Sequence, residues 1–247
     1  MCHFQDKDSR YTPRMHLVLF DIDGTLIKGG GMGGRALRQA FEEVFSVSAV
    51  ENSDLDKVHF GGRTDPAIIT DMATALNLQI EDPLHPTFVE AFLRHLRSNV
   101  DTTPELKTCP YIPELLQSLH HDPRVCLGLI TGNMEPGARI KLDPFELNPF
   151  FPIGGFGEDG FERHLLVGAA IERGRNHYDI GFDPEEVVVI GDTQNDIKAG
   201  RAHGCLTVGV ATGWVEEENL QQANGSAVFK DLSPENGFAS WLNEQLS

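Results

Sequence analysis

The stretch Met15–Leu26 reads Met-His-Leu-Val-Leu-Phe-Asp-Ile-Asp-Gly-Thr-Leu, an apolar run that stops at two carboxylates, a glycine and a threonine. An apolar run of this length, closed by a turn residue, fits a strand buried on both faces of a parallel sheet. Side chains two apart on an extended chain point the same way, so Asp21 and Asp23 leave the strand together. They leave at its carboxyl end, where open α/β sheets place their ligand sites. Two like charges held that close are costly unless a cation or a proton offsets them. The stretch therefore suggests a divalent-metal site, an acid/base pair, or both.

Three further apolar runs read as buried strands: Val125–Ile130, Val187–Ile190 and Leu206–Val210. Helical patterns lie between the strands, such as Leu165, Leu166, Ala169 and Ala170 on one face. Strands alternating with helices predict an α/β fold with a doubly wound parallel sheet. The gap from about Lys28 to Leu119 is too long for one crossover. It carries helical spacing at Ala36-Leu37, Ala40-Phe41 and Val44-Phe45, then over Pro66–Leu78 and Phe88–Leu96. It reads as an inserted helical domain over 30–111, set into a core of 15–29 and 112–247. Gly29-Gly30-Gly31-Met32-Gly33-Gly34 reads as the entry hinge and Pro104–Pro113 as the exit. Asp65-Pro66 is a helix start. Residues 1–14 are polar and lack an apolar signal core. They read as a flexible leader, with Met15 an alternative start.

The formal charge of -17 argues against nucleic acid or an anionic membrane as partner. It would also repel an anionic substrate, so a phosphate site needs a local metal, cation or set of N–H groups. No window has transmembrane length without charge, and the default location is cytoplasmic. Of the four cysteines, Cys126 and Cys205 read as buried reduced thiols. The scattered histidines show no zinc spacing, and Trp214 and Trp241 are expected to pack.

The run Val125–Ile130 ends in Thr131-Gly132-Asn133. A threonine hydroxyl followed by glycine at a strand end can bind a phosphate oxygen alongside backbone N–H groups. The same tripeptide also makes an ordinary turn. Val187–Ile190 continues into Gly191-Asp192-Thr193-Gln194-Asn195-Asp196. Asp192 leaves its strand as Asp21 does, and Asp196 lies four further on, on the same face of a helix turn.

Two acidic strand ends, a Thr-Gly strand end and an early helical insert, in this order, resemble the haloacid dehalogenase superfamily. The similarity is to its branch with a helical cap after the first strand. Asp21–Leu26 matches the first motif, Thr131 the second and Gly191–Asp196 the fourth. The third motif is a cation, usually lysine in a Lys-Pro pair, which this chain lacks. Arg163 is the candidate, ahead of Arg173 and Arg175. The segment Phe60-Gly61-Gly62-Arg63-Thr64-Asp65-Pro66 resembles the cap segment of phosphoglycolate-phosphatase-like members.

The resemblance implies a Mg²⁺-dependent phosphatase acting on a small phosphorylated metabolite, phosphoglycolate-like or a sugar phosphate, through an aspartyl-phosphate. It assigns Asp21 as nucleophile and Asp23 as acid and base. Mg²⁺ falls to Asp21, the Asp23 carbonyl and Asp192, with Asp196 in the first or second sphere. Phosphate oxygens fall to Thr131, Gly132, Asn133 and Arg163, and the substrate's remainder to Gly62, Arg63 and Thr64. Arg63 either meets a substrate anion or pairs with Asp65. The acid at position 23 separates the chain from transport ATPases and dehalogenases. A phosphomutase of the beta-phosphoglucomutase type is the alternative, and a catalytically silent regulatory module the remaining one.

Overall fold

The computed structural model describes residues 14–47, 55 and 58–247. The expected leader lies outside them except for Arg14, whose guanidinium ion-pairs with Glu185 and Glu186.

The first strand, β1 (His16–Phe20), is buried along its whole length. The chain then leaves through β2 (Ile27–Lys28) and forms α1 (Met32–Phe45), α2 (Asp65–Ala75) and α3 (Pro86–Thr102). It returns through β3 (Lys107–Thr108) to α4 (Ile112–His121), β4 (Val125–Ile130), α5 (Glu135–Leu142) and β5 (Ile153–Gly155). Next come α6 (Arg163–Tyr178), β6 (Val187–Gly191), α7 (Gln194–Ala202) and β7 (Leu206–Val210). The chain ends in α8 (Glu217–Gln221), β8 (Ala227–Phe229) and α9 (Phe238–Gln245).

Six strands form one sheet in the order β5-β4-β1-β6-β7-β8. Every neighbouring pair is parallel. Alternate side chains serve opposite faces, as the period of two requires. Leu17, Leu19, Val187 and Val189 pack with Leu166, Val167 and Ala170 of α6. Val18, Phe20, Val188 and Ile190 pack with Leu115 and Leu116 of α4 and Phe238 of α9. That second core runs on into α1, α2 and α3 through Met32, Phe41, Ile68 and Phe92. The sheet is thus doubly wound, and the strand succession reverses around β1, which places a crevice at the strands' carboxyl ends.

Sequence pattern finds four of the six strands. β5 (Ile-Gly-Gly) and β8 are three residues each, too short to show a period. The glycine run also differs from expectation. Gly30 and Gly31 take left-handed φ values of 52° and 76° and make a turn. Gly33 and Gly34 already belong to α1. Burial of Met32, Ala36 and Leu37 on one helix face outweighs the poor helix propensity of the two glycines. Outward and return crossings pair as a short antiparallel ribbon, with Ile27 opposite Thr108 and Lys28 opposite Lys107.

Trp241 packs against Phe229 and Phe238. Trp214 does not pack: it is 92% exposed, because it follows the turn after β7 on the rim of the crevice. Cys109, Cys126 and Cys205 are buried and unpaired with one another.

Candidate active site

β1, β4 and β6 lie side by side, and the residues that follow them are Asp21, Thr131 and Asp192. Sheet bonds continue into this row. The Asp21 N–H donates to the Ile190 carbonyl at 2.9 Å, and the Thr131 N–H to the Gly155 carbonyl at 3.0 Å. Asp196 arrives from the first turn of α7, where it completes a capping box with Thr193.

Carboxylate oxygens of Asp21, Asp192 and Asp196 lie within 4.8 Å of one another, and all three residues are buried. Burial raises the Asp21 pKa above its ordinary value. Arg163 pulls it back, while Asp196 and Asp23 push it further up. Burial raises Asp192 too, and the charges of Asp21 and Asp196 add to the shift. The one guanidinium in the cluster is that of Arg163. Its Nε donates to Asp196 Oδ1 at 2.6 Å and its Nη2 lies 2.7 Å from Asp21 Oδ1. The second Asp196 oxygen accepts the Thr193 N–H at 3.0 Å and the Thr193 hydroxyl at 2.6 Å. Both Asp196 oxygens are therefore engaged within the protein.

The cluster fits a divalent cation. Three acids face one guanidinium, and Asp192 Oδ1 is buried without a hydrogen-bond partner. Backbone crowds the other oxygen: a Cβ on Gly24 or Gly213 would lie 2.3 or 1.5 Å from Asp192 Oδ2. Gly24 also has φ +89°, so a side chain there is excluded twice over. Hard carboxylate oxygens with one orphaned lone pair are the donor set that Mg²⁺ takes.

Asp23 sits on the open side of the crevice, its side chain 46% exposed. Its Oδ2 accepts the Asn133 amide at 2.8 Å and the Lys141 ammonium at 2.6 Å. Desolvation pushes the Asp23 pKa up, but Lys141 and Asn133 outweigh it and hold the carboxyl below the usual range. Lys141 is buried and also donates to Asn133 Oδ1 at 2.7 Å. Asn133 Nδ2 bonds Thr131 Oγ1 at 2.7 Å. The Asn133 side chain is thus committed to Asp23, Thr131 and Lys141. The Thr131 oxygen accepts twice, since the Asn133 N–H also reaches it at 3.2 Å, which leaves its O–H to be donated. Lys141 escapes sequence reasoning because it stands eight residues beyond Asn133, among the apolar positions of α5, with no local spacing to mark it.

The segment 60–65 lies directly on this loop. The Asp65 N–H donates to the Gly132 carbonyl at 2.7 Å, and the Met134 N–H returns to Asp65 Oδ2 at 2.9 Å. Burial raises the Asp65 pKa to about 6, although Lys141 and the Met134 N–H pull against it. A Cβ on Gly132 would lie 1.9 Å from the Arg63 carbonyl oxygen, so this close approach requires glycine. Asn195 donates to the Gly62 carbonyl at 3.1 Å. The Thr64 hydroxyl bonds the Phe161 carbonyl at 3.2 Å and is buried away from the crevice. Arg63 pairs with Asp71 at 2.5 Å, in the second turn of α2, and not with Asp65.

A cavity of about 1000 Å³ joins these parts. Asp21, Asp23, Thr131, Gly132, Asn133, Lys141, Arg163 and Asp192 line its inner end, and Gly62 and Arg63 line it as well. Its lining also takes in Lys28, Lys107, Phe60 and Trp214.

A sheet of this order, with acids at its central strand ends and helices inserted after the first strand, is the architecture of haloacid dehalogenase-like proteins. Superposition agrees: a hydrolase from Pseudomonas syringae matches with a TM-score of 0.65 at 19% identity, covering 93% of this chain and 99% of that one. The family model of the haloacid dehalogenase-like hydrolases matches residues 18–210, and the chain belongs to that family. Its relatives include a phosphoglycolate phosphatase of Haemophilus influenzae, 30% identical over 88% of this chain and 95% of the relative. Another, from Photorhabdus laumondii, is 24% identical over 91% of this chain and 92% of the relative. Among the described residues, no helix is long and apolar enough to cross a membrane.

Proposed function

We propose that this phosphoric monoester hydrolase is a Mg²⁺-dependent phosphatase for a small phosphorylated metabolite, working through a phosphoryl group carried on Asp21. One observation carries the reading. Asp21 is a buried carboxylate set between the Arg163 guanidinium and the unpartnered oxygen of Asp192. The phosphoglycolate phosphatases among the relatives support the reaction class.

An Asp21 oxygen attacks phosphorus, and the bond from phosphorus to the leaving oxygen breaks. Asp23 supplies the proton to that oxygen, then takes one from the water that cleaves the acyl phosphate. Asp23 enters the cycle protonated and is left ionised once the leaving oxygen takes its proton. Lys141 and Asn133 favour that ionised form, which then takes the proton of the water and restores the acid. The Thr131 O–H and the Gly132 N–H are donors for phosphoryl oxygens. Arg163, fixed by Asp196, keeps a positive charge beside the nucleophile. Mg²⁺ held by Asp21, Asp192 and the Asp23 carbonyl would offset the repulsion between nucleophile and phosphate. Residues 30–111 act as a cap over the core of 15–29 and 112–247, and the Asp65–Gly132–Met134 bonds hold it closed.

Asp21→Asn is expected to abolish p-nitrophenyl phosphate turnover while the protein still unfolds cooperatively; undiminished turnover overturns the reading. Rapid quenching of the wild type separates the phosphatase from a mutase. A phosphoryl-protein that decays within seconds supports hydrolysis, and one that persists far longer supports transfer within a sugar.

A further inference from the structure

The cavity is much larger than the reaction needs. At about 1000 Å³ it stands at the top of the range of pockets that bury drug-sized ligands. A two-carbon phosphoester bound at Asp21 would leave most of it to water. Its lining also inverts the charge of the chain. Acids outnumber bases nearly two to one over the whole sequence, 37 to 20, yet bases outnumber acids around the cavity.

Most of those bases are already engaged. Arg163 holds Asp21 and Asp196, Lys141 holds Asp23, and Arg63 holds Asp71. Arg35 donates to the Gly30 carbonyl and to Thr103. Lys28 and Lys107 differ. They stand directly opposite each other in the β2–β3 ribbon, so their side chains leave the same face of it. Both line the cavity, and neither side chain has a hydrogen bond or ion pair among the described residues. Glu105, the acid nearest them on the return crossing, forms no ion pair with either. Like charges placed directly opposite destabilise an antiparallel pair, and this ribbon has only two residue pairs over which to offset the cost. Two lysines on one face of the ribbon, both lining the cavity, make a seat for an anion.

We infer that the substrate is a phosphomonoester longer than a two-carbon ester, with a second anionic group, carboxylate or phosphate, at its far end that Lys28 and Lys107 receive. The inference rests on phosphoester hydrolysis at Asp21. It shifts the choice of substrate from the cap helices to the two crossings that join cap to core. Trp214, exposed on the same lining, offers an apolar face to the intervening skeleton.

The test uses esters matched in skeleton and differing in the distal group. These are 6-phosphogluconate against glucitol 6-phosphate for a carboxylate, and fructose 1,6-bisphosphate against fructose 6-phosphate for a phosphate. In one of the two pairs, wild-type kcat/KM is expected to favour the doubly anionic member by about tenfold or more, as two charge-assisted contacts imply. That pair identifies the anion. Phosphoglycolate should fall below the favoured ester. In Lys28→Met/Lys107→Met the ratio collapses toward one, and Lys28→Gln/Lys107→Gln repeats the loss if charge decides. The inference is overturned by a wild-type ratio near one in both pairs, by a ratio that survives in the double variants, or by phosphoglycolate as the best substrate. Calorimetry on the Asp21→Asn protein with the same pairs reads the seat without turnover. If the wild type cleaves no phosphoester but this protein still binds the doubly anionic member more tightly, the hydrolytic reading fails and the anion seat stands.

Discussion

Lys141 carries its charge into a place that is otherwise apolar on its own helix, with Ala138, Ile140 and Leu142 buried around it. A buried ammonium needs acceptors, and it finds them in Asp23 and Asn133. Lys141→Met should leave Asp23 held by one donor in place of two. The expected result is a fall in kcat on the order of ten- to a hundredfold, less than the roughly 10²–10⁴-fold that an acid/base group itself contributes. The acidic limb of the pH profile should move up, because the group that depresses the Asp23 pKa is gone. Asp65 gives the opposite case. Its folded pKa of about 6 lies above the ordinary 3.8, so the folded chain binds this proton more tightly than the unfolded one. That contribution is fully present below pH ~4 and is lost as pH rises through about 6. Asp65→Asn should therefore stabilise the protein by up to about 3 kcal/mol at pH 7 and hardly at all near pH 4. Melting curves at the two pH values check it.

Elements differ in how openly the sequence declares them. β1, β4, β6 and β7 are legible because each is a short, mostly apolar run, and Asp21, Thr131 and Asp192 close the first three. The acids and the threonine at their ends are legible for the same reason: a strand end is a fixed address. β5 is not, since two of its three residues are glycine. Neither is the joint between segment 60–65 and the Thr131 loop. Its bonds join residues sixty-odd positions apart, one between backbone groups and one from the Met134 N–H to the Asp65 carboxylate, and no local spacing records them. Gly132 is the hidden term, for its neighbour across the joint is a carbonyl oxygen of another element. Gly132→Ala is expected to force that joint apart and to lower kcat/KM by tenfold or more, while the sheet remains intact by circular dichroism. An unchanged kcat/KM would show that the joint is not needed for turnover. Trp214 was expected to pack and does not, because large aromatic residues also serve at the mouths of cavities.

The whole molecule carries a strain of charge that its central cluster concentrates. Burial and two neighbouring acids raise the Asp192 pKa, so its ionised form opposes folding when no cation is bound. Asp192→Asn should raise the melting temperature in chelator. With Mg²⁺ the order reverses. At a hundred times its Kd a cation adds about 2.7 kcal/mol to the wild type, or roughly 5–10 °C for a chain of this size, and the variant should show little of that gain. Differential scanning calorimetry with and without EDTA reads both effects. The β2–β3 ribbon has a consequence of another kind. Because Ile27 pairs with Thr108, everything between them departs and returns through a single doorway. A short hairpin turn could close that doorway without disturbing a strand of the main sheet. Different inserts could be traded there over evolutionary time, each bringing a new taste in substrates to an unchanged reaction, and a laboratory could make the same exchange by cutting at those two residues.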